Sequence, residues 1–336
     1  MSETCTHIGG QAVIEGVMMR GKKNWAVAVR DPQGRIQTEQ HDLASAADKN
    51  AWMKWPLVRG CVAMVESLSL GTKALGISAQ FAGQDDEGEE MLGSAVMAGT
   101  MVVAALFAIF IFIVLPALAT NLAVGQITDN PLRWNVVDGL FRALAFFLYV
   151  WVVGRWADMK RVFRYHGAEH KVIHTVEAGE ELTVANAMKY STMHVRCGTA
   201  FLLMVIVLSI VVFSLIPIRT MIAAAGIDNR VLVTLLTIVS RLLLLPLVAG
   251  LAYEVTVKWA GPRADRWYVK ILLWPGLQMQ RLTTAEPTED MVEVAIAATN
   301  LIIAREQAPE LADARVAVKF AGERVESELE LMPNVI

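Results

Sequence analysis

Four of the six histidines in this 336-residue chain fall between His166 and His194. His166-Gly-Ala-Glu169-His170 has the H-x-x-E-H spacing. On a helix, positions i and i+4 share a face one turn apart, so both imidazoles can reach one metal ion. Glu169 falls on the same side, where a carboxylate can take a proton from a water that the ion activates. This is the arrangement of inverted zinc-protease motifs. His174 and Glu177 continue the face by another turn, and either can supply a third ligand or a carboxylate that orients one. His194-Val-Arg-Cys197 adds an H-x-x-C pair where an apolar segment begins. A thiolate beside an imidazole suits zinc better than magnesium or calcium. The expected centre is therefore a divalent metal, Zn2+ by its donors, on His166, His170, His194 and Cys197, with Glu169 as catalytic base. His7 and His41 read as surface residues.

A second stretch, Gly9-Gly-Gln-Ala-Val-Ile-Glu15-Gly-Val-Met-Met-Arg20-Gly21, sets four glycines around one carboxylate and one guanidinium. Such glycines hold backbone close to a ligand or another segment, and turns with a bulge in a small sheet explain them equally well. Glu15 and Arg20 join His174, Glu177 and Arg241 as groups expected to support the centre or bind substrate. Thr283-Thr-Ala-Glu286-Pro287 reads as the capped start of a helix.

The elements that must carry these residues are mostly membrane helices. The chain is 55% hydrophobic and 19% charged, with net charge −3 and mean hydropathy +0.45, which disfavours an ordinary soluble globule. The small net charge gives no sign of a nucleic-acid partner. Cys5, Cys61 and Cys197 are widely spaced and odd in number, as expected of reduced thiols. Residues 1–21 lack a basic stretch followed by an apolar core, so no signal peptide is expected. Met91–Thr128 is an uncharged run of 38 residues, and about 20 suffice to cross a bilayer. Cys197–Ile218 is a second uncharged run, and Val231–Tyr253 a third, interrupted only by Arg241. Val136–Trp156 is a weaker fourth, with Asp138 and Arg142 near one end, where Arg142 is expected to snorkel towards water.

Lys and Arg orient these spans. Nine precede the first, one lies in Gln126–Val136, seven in Arg155–Arg196, two in Arg219–Arg230 and nine after Tyr253. Positive segments alternate with poor ones as the positive-inside rule requires of four spans. The expected fold is thus a mostly α membrane protein, a four-span helical bundle (about 92–120, 136–156, 198–218 and 231–253). Both termini are cytoplasmic. Residues 1–50 form a small β-rich cytoplasmic unit, with Trp25–Arg30 alternating at period two and Asp31-Pro-Gln-Gly34 a turn. Residues 51–90 hold an amphipathic helix, lying on the membrane or the bundle, and an acidic linker. Residues 91–260 are the transmembrane bundle, with the His-rich segment 157–197 on the cytoplasmic side. Residues 261–310 carry an interfacial helix and a cytoplasmic one, and 311–336 are a weakly ordered tail.

The GGQAVIEGVMMRG stretch, YHGAEHK at Tyr165–Lys171, HVRCGTAF at His194–Phe201, RLLLLPLVAGLAYE at Arg241–Glu254 and PGLQMQRLTTAEP at Pro275–Pro287 together resemble the YqhQ-like family of bacterial membrane proteins. The resemblance runs from Ile8 to Glu306. It implies a membrane location and a metal site, the family being labelled metal-dependent enzymes, and it names no substrate.

Three functions compete. The leading one is a membrane-embedded, metal-dependent hydrolase with its site at the cytoplasmic surface. The alternative is a non-enzymatic scaffold or assembly factor in which the same ligands tie cytoplasmic segments together. A transporter comes third, motivated by Arg241 in mid-span and weakened by the lack of an internal repeat. Beyond the lipid bilayer the partner is an unnamed substrate or protein, and a homo-oligomer is open. Ligand count separates the first two, because closed four-ligand sites are structural and three ligands plus water are catalytic.

Overall fold

The computed structural model describes residues 8–43, 45, 47, 50–83, 94–124, 131–195, 197–216, 218–263 and 266–307. His7, most of the acidic linker, the first half of the Gln126–Val136 connection and the 311–336 tail lie outside the described residues. The N-terminal segment is a four-stranded antiparallel meander: β1 (Gly9–Val13), β2 (Gly16–Arg20), β3 (Asn24–Arg30) and β4 (Ile36–Asp42), in that order. The Asp31 carboxylate closes the β3–β4 turn by accepting from Arg35 N, Arg35 Nε and Gln37 Nε2, and Gly34 supplies the positive φ of 83°.

The period-two pattern at Trp25–Val29 turns out to alternate in size rather than polarity, because both faces of the sheet are buried. Val13, Met18, Trp25, Val27 and Val29 pack on Leu70 and Ala74 of helix α1 (Val58–Ala82). On the other face Val17, Met19, Ala26 and Ala28 share a core with two helices described below, where the alanines let the helices come close.

The membrane region is helical. Helix α2 (Ser94–Ile109) runs through a π-helical turn (Phe110–Val114) into α3 (Leu115–Val124), and α4 (Pro131–Val153) returns beside α3. Helix α5 (Ala157–Ala178) and the short α6 (Val184–Met188) follow. Then come α7 (Gly198–Leu215), α8 (Ile218–Ala224) and α9 (Arg230–Tyr253), the last extended by a π-helical stretch (Glu254–Ala260). Helices α10 (Trp267–Thr283) and α11 (Glu289–Gln307) complete the described chain. Among the described residues, three helical segments are long and apolar enough to cross a membrane: Val102–Val124, Leu132–Val153 and Val231–Arg263. No more than 22% of any of them is buried within the protein, so they are not core helices of a soluble domain. The Cys197–Ile218 run, expected as a full span, holds the shorter apolar helix Phe201–Leu215.

Polar groups in the spans face one another. Asp138 accepts from Arg142 Nε at 2.9 Å and from Arg241 Nη1 at 2.8 Å, and Asn135 Oδ1 accepts from Arg241 Nη2 at 3.0 Å. All four are buried. The expected snorkelling of Arg142 is therefore corrected. A carboxylate one turn away on its own helix holds it in the interior, where an ion pair replaces the lost water.

Helix α1 neither floats nor lies flat. Leu57, at its start, has the sterically disfavoured φ of 69° and packs its carbonyl against Gly250 of α9. Glu254 accepts from Leu57 N and Arg59 Nε at 3.2 and 2.7 Å, so α1 is pinned to the end of α9 before it reaches the sheet.

Candidate metal centre

Helix α5 places the chemistry. One face, with Tyr165, Ala168, Val172, Ile173 and Val176, is buried against the sheet and α11. Its end is set by Gly179 in the left-handed conformation, φ 71°. Along the Tyr165–Lys171 stretch nearly every residue has a specific neighbour. Gly167 lies so close to the 284–287 segment that a Cβ there would sit 2.1 Å from the Ala285 carbonyl oxygen. Glu169 rests on β1, where a Cβ on Gly10 would come 2.9 Å from its Cγ. Lys171 is buried and donates to the carbonyls of Met188 and Tyr190 at 3.1 and 2.7 Å, and pairs with Glu286 at 2.7 Å. The Thr283–Pro287 stretch is thus more than a helix cap. It runs along α5, with Ala285 N donating to Phe163 O at 2.9 Å.

The histidines gather into two triads. In the first, His166 gives Nδ1–H to Thr283 O at 2.8 Å and turns Nε2 to Cys197 Sγ at 3.2 Å. His170 gives Nδ1–H to Thr192 O. A carbonyl can only accept, so these bonds fix the tautomers and leave both Nε2 lone pairs available. One ligand atom each from His166, His170 and Cys197 lie within 4.8 Å of one another. The second triad is His174, Glu177 and His194, within the same limit. His174 donates Nε2–H to Met193 O at 2.9 Å, and His194 Nε2 lies 3.2 Å from the Glu177 carboxylate. The His170 and His194 rings, 5.7 Å between centroids, join the triads.

Burial sets the electrostatics. It pushes the Glu169 carboxyl above the ordinary range, against the pull of His166, His194 and a hydrogen bond from the Gly10 backbone. Its Oε2 is buried with no hydrogen-bond partner among the described residues. Burial also holds His170 and His194 below the usual imidazole value, opposed by Cys197 and by Glu169 respectively. Burial thus favours the uncharged form of these two rings, the form in which imidazole ligates. The nitrogens and sulfur of the first triad match the donor set that zinc prefers.

A family described as "Protein of unknown function (DUF1385)" matches residues 55–305. The chain belongs to this family. It is 32% identical over 306 residues to the uncharacterized protein YqhQ of Bacillus subtilis (strain 168), covering 88% of this chain and 92% of that protein. No solved structure matches the chain.

Within this DUF1385 chain the other residues singled out from sequence lie apart from both triads. Glu15, at the β1–β2 turn with φ 51°, pairs with Arg161 near the start of α5. Arg20 pairs with Glu66 of α1 at 3.1 Å, and Arg241 belongs to the intramembrane network. His41 stacks on Trp25 with centroids 4.5 Å apart. Sequence reasoning missed Gln280, which is buried in α10 and grips His194 from both sides, accepting from its N and donating to its O, each at 2.8 Å. It also missed the carbonyls of Thr192, Met193 and Thr283. The signal for Gln280 and Thr283 is their place in the PGLQMQRLTTAEP stretch, of which Thr283–Pro287 alone reads locally, as a helix cap.

Proposed function

We propose that the protein is a multi-pass membrane hydrolase, dependent on a divalent metal, with the ion held by His166, His170 and Cys197. The observation that carries this reading is the pair of Nδ1–H bonds to the Thr283 and Thr192 carbonyls, which aim two imidazole lone pairs into reach of one thiol. Zinc fits the donors best, since tetrahedral ligand atoms at zinc distances stand about 3.3–3.6 Å apart. When bound, the ion supplies Lewis acidity and lets water act as a nucleophile near neutral pH. Three protein ligands leave a fourth position for substrate or solvent, and His194, once expected to fill it, is grouped with His174 and Glu177.

Glu169 is the proton carrier in this reading. Its carboxyl is buried, raised above its ordinary range and has one oxygen without a partner. It takes the proton from the attacking water and returns it to the leaving group, the role of a general base that becomes a general acid. A hydrogen bond from the Gly10 backbone of the N-terminal hairpin holds it in place. Amide and ester substrates, including lipids and peptides, suit this chemistry.

The location in this reading is the bacterial inner membrane, with four spans and the sheet, α5 and both termini on the cytoplasmic side. The Lys and Arg alternation supports it, with α7 as the fourth crossing. Its 18 residues make about 27 Å of helix, close to a hydrocarbon core of about 30 Å. Trp52, Trp55, Trp156, Trp267 and Trp274 are each more than half exposed, in the segments joining spans to the sheet domain, where an interfacial belt belongs. A structural ion is the second reading, favoured by the Gln280 grip that ties His194 to α10.

The two readings separate in Glu169→Gln. Assayed on chromogenic esters and amides, this variant should keep its metal and lose turnover by about 10²–10⁴-fold. His166→Ala should lose metal and turnover together. Unchanged turnover in Glu169→Gln would leave only the structural reading.

A further inference from the structure

The first triad does not use His174, Glu177 or His194. The two triads share no residue, and each brings its own three ligand atoms within 4.8 Å of one another. We propose that His174, Glu177 and His194 form a second metal site, for a divalent first-row transition metal, beside the one on His166, His170 and Cys197.

Geometry supports a built site rather than a chance ion pair. His174 donates Nε2–H to the Met193 carbonyl at 2.9 Å, which fixes the ring beside His194 and Glu177. His194 Nε2 and the Glu177 oxygens stand 3.2 and 3.3 Å apart, close to the edge of about 3.3 Å between nitrogen and oxygen ligands on one tetrahedral ion. The His194 side chain is only 3% exposed, and its backbone is fixed on both sides by Gln280. Glu177 is 27% exposed, so the site opens to solvent on that side. The donors are two nitrogens and a carboxylate with no thiolate, a harder set than the first triad's, which extends the choice beyond zinc to manganese and iron.

Glu169 connects the two. Its carboxyl is 96% buried with Oε2 unpartnered, and it interacts electrostatically with His166 of the first triad and His194 of the second. The inference goes beyond the hydrolase reading and stands even if the first ion is structural.

Equilibrium zinc binding to the full chain in detergent tests it. The wild type should take up two equivalents per chain. Glu177→Gln and His174→Ala should each weaken one equivalent at least tenfold and leave the other in place. His166→Ala with Cys197→Ser should remove the other equivalent and spare this one, so a failure of the first site and a failure of the second give different results. The mild Glu177→Gln change guards against a variant that fails to fold. A single equivalent in the wild type, or two undiminished equivalents in Glu177→Gln with His174→Ala, would overturn the proposal.

Discussion

Glu169 shows at the scale of one residue what spacing reveals and what it hides. The H-x-x-E-H pattern placed two imidazoles and a carboxylate on neighbouring faces of α5, and the helix bears that placement out. Spacing could not say that Gly10 of β1 would close over the carboxyl, because the two residues lie far apart in the chain. Nor could it show which carbonyls orient the rings, since a backbone acceptor has no residue type to read. The burial has a consequence for stability. In the unfolded chain the carboxyl loses its proton near 4.5, whereas in the folded protein it holds it to higher pH. The native state therefore loses stability through this group as pH rises above that value. Metal-free Glu169→Gln should accordingly melt higher than wild type at pH 7.5, with the gain vanishing towards pH 4.5. A constant difference across that range, followed by circular dichroism, would contradict it. Gly167 invites a second test. A Cβ 2.1 Å from the Ala285 oxygen has nowhere to go, because both groups are backbone-bound. Gly167→Ala should cost about 1–3 kcal/mol, read as a lowered melting temperature, and should disturb the Thr283 carbonyl that orients His166. An unchanged melting temperature would mean that the segment moves freely.

At the scale of the element, the spans were legible from apolar length and their polar interior only in part. Arg241, eleventh in its run, had to face inward, because exposing it to lipid costs about 2.5–3.5 kcal/mol or more. Its partners Asp138 and Asn135 lie on α4, and which residue meets which across two helices depends on rotation and depth that composition does not fix. The same charge made α4 look a doubtful span, whereas Asp138 is what accommodates both arginines inside it. The arginine planes also face aromatic rings, with Arg241 Cζ 4.8 Å from the Trp134 centroid and 5.1 Å from that of Phe213. Asp138→Ala strands two buried guanidiniums and should cost about 3–5 kcal/mol. Asp138→Leu combined with Arg241→Leu and Arg142→Leu should cost clearly less, because no charge is left unpaired. Thermal unfolding in detergent compares them, and equal losses would show that the pairing is incidental.

At the scale of the molecule, the sheet, α5 and α11 close one core, although they come from the beginning, middle and end of the chain. The sequence reading had the right elements but set them side by side as separate stretches. Nothing local in β3 announces that Ala26 and Ala28 face a helix more than 260 residues away in the chain. Joined in this way, the sheet packs on α1, which is pinned to the end of α9. Accessibility tags at Glu180 and Asp228 should report opposite sides of the membrane, with Glu180 cytoplasmic. The same side for both would remove the four-span arrangement.

The central claim is that His166, His170 and Cys197 hold one ion. Cobalt substituted into the purified protein reads it directly, because a thiolate bound to cobalt gives a charge-transfer absorption that imidazole and carboxylate ligands do not. The account predicts this band in the wild type, its loss in Cys197→Ser, and its loss in His166→Ala with His170→Ala. No band in the wild type, or a full band in the double histidine variant, would contradict it.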